Sequence, residues 1–175
     1  EGARVFLVDR DPGVSALAAE LGSAFAIADV SEEGDTRNFV AAAVKALGGL
    51  DIYVANAGTE GRVHPLIEAE QADFDRVLAV NVRATWLGIK HGVPHLVATR
   101  GNFVATASVA GLIGSAGLGP YTASKHAVLG LVKTAAVEYG PLGVRVNAVC
   151  PGPIENRMMR SIEAQASPEA PAAVH

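Results

Sequence analysis

The chain alternates short, largely apolar runs with longer segments whose apolar residues recur at helical spacing. Short apolar runs that end at polar residues are typical of buried strands in a parallel sheet. Apolar residues at every third or fourth position predict amphipathic helices. The expected strands are 4–8, 24–28, 51–55, 102–106 and 144–149, and the expected helices are 12–21, 31–47, 71–97 and 121–139.

This alternating order predicts an α/β fold with a doubly wound parallel sheet and helices on both faces. No internal repeat or linker divides the sequence, so residues 1–175 are expected to form a single domain. Pro94 is expected to bend the third helix, because a proline inside a helix removes a backbone hydrogen bond. The glycine-rich stretch 109–120 is expected to be a loop.

Composition narrows the class of protein. Half of the residues are apolar and 18% are charged, which is typical of a globular chain rather than a disordered one. There are 14 basic and 18 acidic residues and no basic cluster, so nucleic-acid binding is not expected.

A single cysteine, Cys150, cannot form an internal disulfide and favours a reducing, cytoplasmic location. No apolar segment reaches the roughly 18 residues of a membrane-spanning helix, and no membrane partner is expected.

Polar or backbone-exposing residues follow every expected strand. Asp9 ends the first strand, Asp29 follows the second, and Asn56-Ala57-Gly58 follows the third. Ser108 lies near the end of the fourth strand, and Pro151-Gly152 follows the fifth. Ligands of open parallel sheets bind beyond the carboxyl ends of the strands. One such acid is usually a helix cap, but five polar strand ends together predict a ligand site.

Tyr121 and Lys125 are four residues apart on one expected helix, hence on the same face. Taken alone, the pair is more typical of a surface tyrosine packed on a lysine stem than of a functional site. Ser108, thirteen residues upstream, favours a functional interpretation, since the glycine-rich loop can bring it over the start of this helix. An ammonium beside a phenol favours the phenolate, and such a group can exchange a proton with a carbonyl or alcohol oxygen.

These residues resemble the motifs of the short-chain dehydrogenase/reductase family, of the classical type. Asn56-Ala57-Gly58 is similar to the family's Asn-Ala-Gly motif. Ser108, Tyr121 and Lys125 match its Ser…Tyr-x-x-x-Lys constellation, and Asn81 lies where the family has a helix-borne catalytic Asn. The segment 145–147 with Pro151-Gly152-Pro153-Ile154 resembles the family's Arg-Val-Asn…Pro-Gly segment, so that the resemblance spans residues 2–159.

The resemblance implies a Rossmann-like, NAD(P)-binding domain that interconverts an alcohol and a ketone or aldehyde, with a small-molecule substrate. It implies that Tyr121 is the general acid/base and that Lys125 favours the phenolate and holds the nicotinamide ribose. Ser108 would bond the substrate oxygen, and Asn81 would support a water in the proton relay. The implied cofactor-binding residues are Asp9, Arg10, Asp29, Val30, Asn56, Ala57, Gly58, Tyr121, Lys125, Pro151, Gly152 and Ile154.

Further expectations concern the cofactor, the assembly and the end of the chain. Asp9 favours NAD over NADP, because a carboxylate at the end of this strand accepts bonds from ribose hydroxyls and repels a 2′-phosphate. Arg10 weakens that preference.

Apolar residues around the helices 71–97 and 121–139, which the family pairs across a dyad, predict a homodimer or homotetramer. Segment 153–175 is expected to be a substrate lid. No metal site is expected, since His91 and His95 lack a third ligand.

The sequence also departs from the family. Ala55 and Asn156 replace an Asn and a Thr of its motifs, and its first strand, its Thr-Gly-x-x-x-Gly-x-Gly turn and its last strand have no counterpart in residues 1–175. Strands 4–8 and 51–55 would each keep an unpaired edge, so we expect the chain to be an incomplete piece of a longer protein.

The sequence is also compatible with two other functions. A catalytically silent dinucleotide-binding or scaffolding relative would keep the fold without turnover, but the filled catalytic positions favour the enzyme. An epimerase or dehydratase of the related extended fold is disfavoured, since it needs a large substrate domain that 175 residues do not show.

Overall fold

In the computed structural model, which describes residues 2–166, strands and helices alternate along the chain. The strands are β1 (Phe6–Asp9), β2 (Ala24–Ile27), β3 (Ile52–Ala55), β4 (Asn102–Thr106) and β5 (Arg145–Val149). The helices are α1 (Val14–Leu21), α2 (Glu33–Leu47), α3 (Gln71–Leu78), α4 (Ala84–Thr99), α5 (Gly119–Tyr139) and α6 (Arg157–Ala166). The predicted Rossmann-like α/β architecture is confirmed.

All the strand pairs are parallel, and they form two separate sheets in the described part of the chain. Strand β1 pairs with β2, while β4 lies between β3 and β5. Within residues 2–166, β1 and β3 therefore each pair on one edge only, as the sequence predicted. Both strands line a cleft of about 480 Å³, which is bordered by Phe6, Val8, Phe39, Val40, Ile52 and Val54 among others.

Two apolar cores hold the strands against the helices. In the larger one, α4 and α5 pack on the three-stranded sheet, and Phe103, Leu96 and Val128 are almost completely buried. In the smaller one, Phe39 and Val40 of α2 pack against β1. These contacts fix the strands, and therefore the positions at which their carboxyl ends deliver side chains.

Strand burial differs from the expectation. Strand β1 covers Phe6–Asp9 instead of residues 4–8, and its apolar residues are half-buried, not buried on both faces. In β3, Ile52 and Val54 are 58% and 59% exposed. Alternate side chains of a strand point to opposite faces of the sheet. Ile52 and Val54 therefore share one face of β3, and that face borders the open cleft between β1 and β3.

The expected third helix is two α-helices joined by a turn of π-helix. The turn spans Ala79–Arg83, and α4 then continues through Pro94 to Thr99, so the irregularity lies earlier than the bend expected at Pro94. The expected loop 109–120 contains a 3₁₀ turn at Val109–Gly111, and α5 begins two residues before Tyr121. Among residues 2–166, no helix has the length and apolarity needed to cross a bilayer.

Candidate active site

The ends of β1, β2 and β3 converge on one cleft of about 460 Å³. We call it the strand-end cleft. Its size falls within the range of small-molecule sites. Six of the predicted cofactor-binding residues line it, namely Asp9, Arg10, Asp29, Val30, Ala57 and Gly58. The cleft is therefore placed where a parallel sheet presents a ligand site.

The carboxylates of Asp9 and Asp29, which line the cleft, each accept hydrogen bonds from a residue two positions later. Asp9 Oδ1 accepts a bond from the backbone N–H of Asp11 at 2.9 Å. Asp29 Oδ1 accepts bonds from the backbone N–H and the hydroxyl of Ser31 at 2.9 and 2.7 Å. The Ser31 bonds hold the pKa of the Asp29 carboxyl below its ordinary value, with a smaller contribution from the cation of Arg10. Asp29 is thus an anion at neutral pH, and its charge faces the cleft.

Tyr121 and Lys125 lie on one buried face of α5. Lys125 is 4% exposed, and its Nζ lies 5.5 Å from the centre of the Tyr121 ring. The ammonium donates a hydrogen bond of 2.7 Å to the backbone carbonyl of Thr106, at the end of β4. Burial lowers the pKa of Lys125 to about 8, because removal from water disfavours the charged form. The phenol and the ammonium are thus brought together, as the sequence predicted.

Ser108 lies just beyond β4 in extended backbone, and its hydroxyl accepts a bond of 3.1 Å from the N–H of Ala110. This bond caps the 3₁₀ turn that follows. A Cβ built on Gly111 would lie 2.9 Å from the carbonyl oxygen of Lys125, so only glycine allows this approach of the turn to α5. The turn therefore holds the Ser108 segment against the part of α5 that carries Tyr121 and Lys125.

Asn81 lies in the π-helical turn and is almost completely buried. Its Oδ1 accepts the N–H of Thr59 at 2.8 Å, and its Nδ2 donates to the carbonyl of Thr59 and to the hydroxyl of Ser124, both at 2.9 Å. A Cβ built on Gly58 would lie 3.4 Å from Asn81 Oδ1 and 3.6 Å from Lys125 Nζ. Gly58, Asn81 and Lys125 therefore meet at one point, next to the strand-end cleft.

Of the remaining predicted residues, Asn56 and Pro151 bond the strand ends, whereas Gly152 and Ile154 lie apart from the cleft. Asn56 Oδ1 accepts the Thr106 hydroxyl at 3.0 Å, which ties the ends of β3 and β4 together. The carbonyl of Pro151 accepts the N–H of Val109 at 2.9 Å. Gly152 and Ile154 are exposed and lie outside the lining of the strand-end cleft.

Helix α6 occupies part of the segment that was expected to be a lid. Arg157, Ser161 and Gln165 recur every four residues, and all three line the strand-end cleft. Gln165 Oε1 accepts the backbone N–H of Val63 at 3.0 Å, which holds the helix against the loop after β3. Residues 167–175 of the expected lid lie outside the described part of the chain.

Sequence reasoning missed Thr59, Thr106 and Ser124, each of which bonds a predicted site residue. Ser124 could have been found, because it is a polar residue three positions after Tyr121 on the same helix face. Thr59 contributes its backbone N–H and carbonyl, and Thr106 contributes a backbone carbonyl as well as its hydroxyl. Residue type carries no signal for the backbone contacts.

Comparison with known proteins decides the family. A family model described as enoyl-(acyl carrier protein) reductase matches residues 1–174. Levodione reductase of Leifsonia aquatica is 38% identical over 98% of this chain and 67% of its own length. The chain belongs to the short-chain dehydrogenase/reductase family. The resemblance of its motifs to that family is thereby confirmed.

Solved structures of short-chain dehydrogenase/reductases share the fold. A crystal structure of levodione reductase superposes with a TM-score of 0.92 at 36% identity, covering 96% of this chain and 69% of that one. A 3-ketoacyl-(acyl-carrier-protein) reductase from Brucella melitensis, complexed with NADH, gives 0.87 at 32% identity over 91% of this chain and 69% of that one. The chain spans between half and about two thirds of the length of the curated relatives it matches.

Proposed function

We propose that this protein is a nicotinamide-dependent oxidoreductase that interconverts an alcohol and a ketone or aldehyde. The observation that carries the proposal is the buried pair of Tyr121 and Lys125 on α5, next to Gly58 and the strand-end cleft. The family of the chain supports the reaction class, and so do relatives named as reductases and dehydrogenases.

The strand-end cleft fits a nicotinamide dinucleotide. Asp9 and Asp29 supply acceptors for ribose hydroxyls. Ala57 and Gly58, which carry only a methyl group and a hydrogen, let a ligand come close to the backbone at the end of β3. Lys125 and Tyr121 would hold the end of the ligand nearest α5. When bound, the nicotinamide supplies or accepts the hydride.

The protein's own side chains then handle the proton. In reduction the Tyr121 phenol donates a proton to the carbonyl oxygen, and in oxidation the phenolate takes it from the alcohol. The Lys125 ammonium, 5.5 Å from the centre of the Tyr121 ring, stabilises the negative charge that develops on the phenol oxygen during the transfer. Ser108 donates a hydrogen bond to the substrate oxygen. Both amide hydrogens of Asn81 are donated within the protein, and its main-chain carbonyl accepts the Thr85 hydroxyl at 2.8 Å. Support of a relay water would therefore use the second lone pair of that carbonyl.

Three finer assignments belong to the same proposal. Asp9 makes NAD the preferred cofactor over NADP, since its carboxylate opposes a 2′-phosphate. Helix α6, whose polar face borders the strand-end cleft, is the described part of the substrate lid. The outer faces of α4 and α5 form the contacts of a homodimer or homotetramer.

The deciding experiment follows the oxidation of NADH by the purified full-length protein with a panel of ketones and aldehydes. Tyr121→Phe should lower turnover by about 100-fold or more, since it removes the transferred proton but keeps the ring. Tyr139→Phe, on the same helix, is the matched control and should leave turnover unchanged. NADH binding should survive in both variants.

Two outcomes would contradict the proposal. If Tyr121→Phe kept more than about a tenth of the wild-type turnover, the assigned proton transfer would be wrong. If the wild-type protein bound NADH but turned over no carbonyl compound with either NADH or NADPH, the silent dinucleotide-binding alternative would replace the enzyme.

A further inference from the structure

Ser124 is a fully buried hydroxyl that the proposed chemistry does not use. Its side chain has no solvent exposure. The hydroxyl donates a bond of 2.7 Å to the backbone carbonyl of Tyr121 and accepts one of 2.9 Å from Nδ2 of Asn81. It therefore connects the turn of α5 that carries Tyr121 with the π-helical turn that carries Asn81.

The connection continues to the loop after β3. The Asn81 amide makes two more bonds, both to the backbone of Thr59. A continuous path of hydrogen bonds thus runs from Thr59 through Asn81 and Ser124 to Tyr121. It joins the two sides of the site, since Thr59 follows the Gly58 backbone at the strand-end cleft and Tyr121 supplies the phenol.

Removing the hydroxyl would disturb the whole path. One N–H of the Asn81 amide would lose its acceptor in a place that water does not reach, and an unpaired buried donor is costly. The amide could recover a partner only by rotating, and rotation would break the paired bonds to Thr59. The orientation of Asn81 therefore depends on Ser124.

We infer that Ser124 is a positioning residue that fixes Asn81 and, through it, the Gly58-Thr59 backbone relative to Tyr121. Ser124 itself touches neither substrate nor cofactor in this assignment. The kinetic part of the inference rests on the proposed oxidoreductase function, but the structural part does not.

The structural test is site-resolved hydrogen exchange of the Thr59 amide, whose N–H is held by Asn81 Oδ1. In the full-length protein, Ser124→Ala should speed exchange at Thr59 about tenfold beyond any change in global stability. Thr99→Val is the matched control, because its hydroxyl also donates to a backbone carbonyl, that of Leu50, at the other end of β3. Unchanged exchange at Thr59 in Ser124→Ala would overturn the inference.

The kinetic test is a double-mutant cycle with Asn81. Ser124→Ala should lower kcat about tenfold with little change in the KM for the carbonyl substrate, and it should have no further effect in Asn81→Ala. Additive losses would show that Ser124 acts independently of Asn81 and would overturn the inference. A wild-type protein without turnover would refute the proposed function, whereas exchange at Thr59 would still decide the role of Ser124.

A second variant covers the case in which Ser124→Ala fails to fold. Ser124→Cys keeps nearly the same shape but offers a weaker donor and acceptor. It should exchange the Thr59 amide faster than the wild type and have a lower kcat, because its hydrogen bonds to Asn81 and to the Tyr121 carbonyl are weaker. Wild-type values for both quantities in Ser124→Cys, together with a folded protein, would contradict the inference.

Discussion

Lys125 keeps an ammonium group in a place that is 4% exposed. Its folded-state pKa is about 8, against an ordinary value of 10.5. Between these two pH values the unfolded chain binds a proton that the folded chain has released. The free energy of unfolding therefore gains a contribution that rises with pH across this window, by roughly 3 kcal/mol in all.

Lys125→Met should remove this rise. Chemical denaturation between pH 8 and 10.5 should show the wild-type free energy of unfolding climbing relative to that of the variant. Lys133→Met, exposed on the same helix, should keep the wild-type pH dependence. Parallel profiles for the wild type and Lys125→Met would mean that the ammonium is not desolvated as its burial implies.

The choice between NAD and NADP depends on one carboxylate. Asp9→Ala should lower the ratio of kcat/KM with NAD to kcat/KM with NADP about tenfold. The substitution removes a charged acceptor for the ribose hydroxyls of NAD, and it removes the repulsion of the 2′-phosphate of NADP. Glu20→Ala, an exposed acid of α1, changes the net charge equally and should not alter the ratio. A wild-type preference for NADP would contradict the assignment of Asp9.

For single residues, the sequence predicted which side chains belong to the site better than it predicted their hydrogen-bond partners. The spacing of Tyr121 and Lys125 was enough to place them on one face of a helix. The partners of Asn81 were not predictable, since Thr59 and Ser124 lie 22 and 43 positions away along the chain. Such contacts depend on how α3, the π-helical turn and α5 pack, and no local pattern encodes that packing.

Among the elements, α4 comes unusually close to β3. A Cβ built on Gly88 would lie 2.9 Å from the ring of Tyr53, and one built on Gly92, a helical turn later, would also lie 2.9 Å from it. The Tyr53 ring stacks on Phe103, with 5.0 Å between the ring centres. Two glycines thus form a groove that holds this ring, and burial there raises the pKa of Tyr53 to about 12.

Gly88→Ala should therefore destabilise the protein by about 1–3 kcal/mol, since the added methyl group overpacks the ring and its stack. Gly34→Ala is the matched control on α2, where a Cβ would meet nothing within 4 Å. It should stabilise by about 0.5–1 kcal/mol through the lower flexibility of the unfolded chain. Thermal or chemical unfolding measures both, and a stabilising Gly88→Ala would refute the close approach.

The elements themselves show where periodicity is informative. Strands and long helices have apolar periods, and their existence and order were predicted correctly. The π-helical turn Ala79–Arg83, which carries the buried Asn81, has no residue signature of its own. The sequence instead suggested Pro94 as the irregular point, yet α4 continues through it.

For the whole molecule, strand order was more predictable than burial. The resemblance to a doubly wound sheet implied that β1 and β3 would each keep an unpaired edge, and in residues 2–166 they do. Burial was overestimated, because an apolar run shows that a strand prefers burial and not which neighbours cover it. Similarly, the prediction of a subunit contact counted the apolar and small residues all around the helices 71–97 and 121–139. Several of them are buried within this chain, including Ala84, Gly88 and Ala135.

Helices α4 and α5 also carry large apolar side chains that are exposed and that could form a subunit contact. On α5, Val137 is 78% exposed, and on α4 the ring of Trp86 is 44% exposed. If the outer face of α5 is a subunit contact, Val137→Lys would bury a charge there, twice over in a two-fold interface. Sedimentation of the full-length protein at micromolar concentration should show a dimer or tetramer, and Val137→Lys should weaken its association about tenfold or more. Ile67→Lys changes an apolar residue that is 95% exposed outside α4 and α5, and it should leave the association intact. A wild-type monomer, or equal association of Val137→Lys and the wild type, would exclude α5 as the contact.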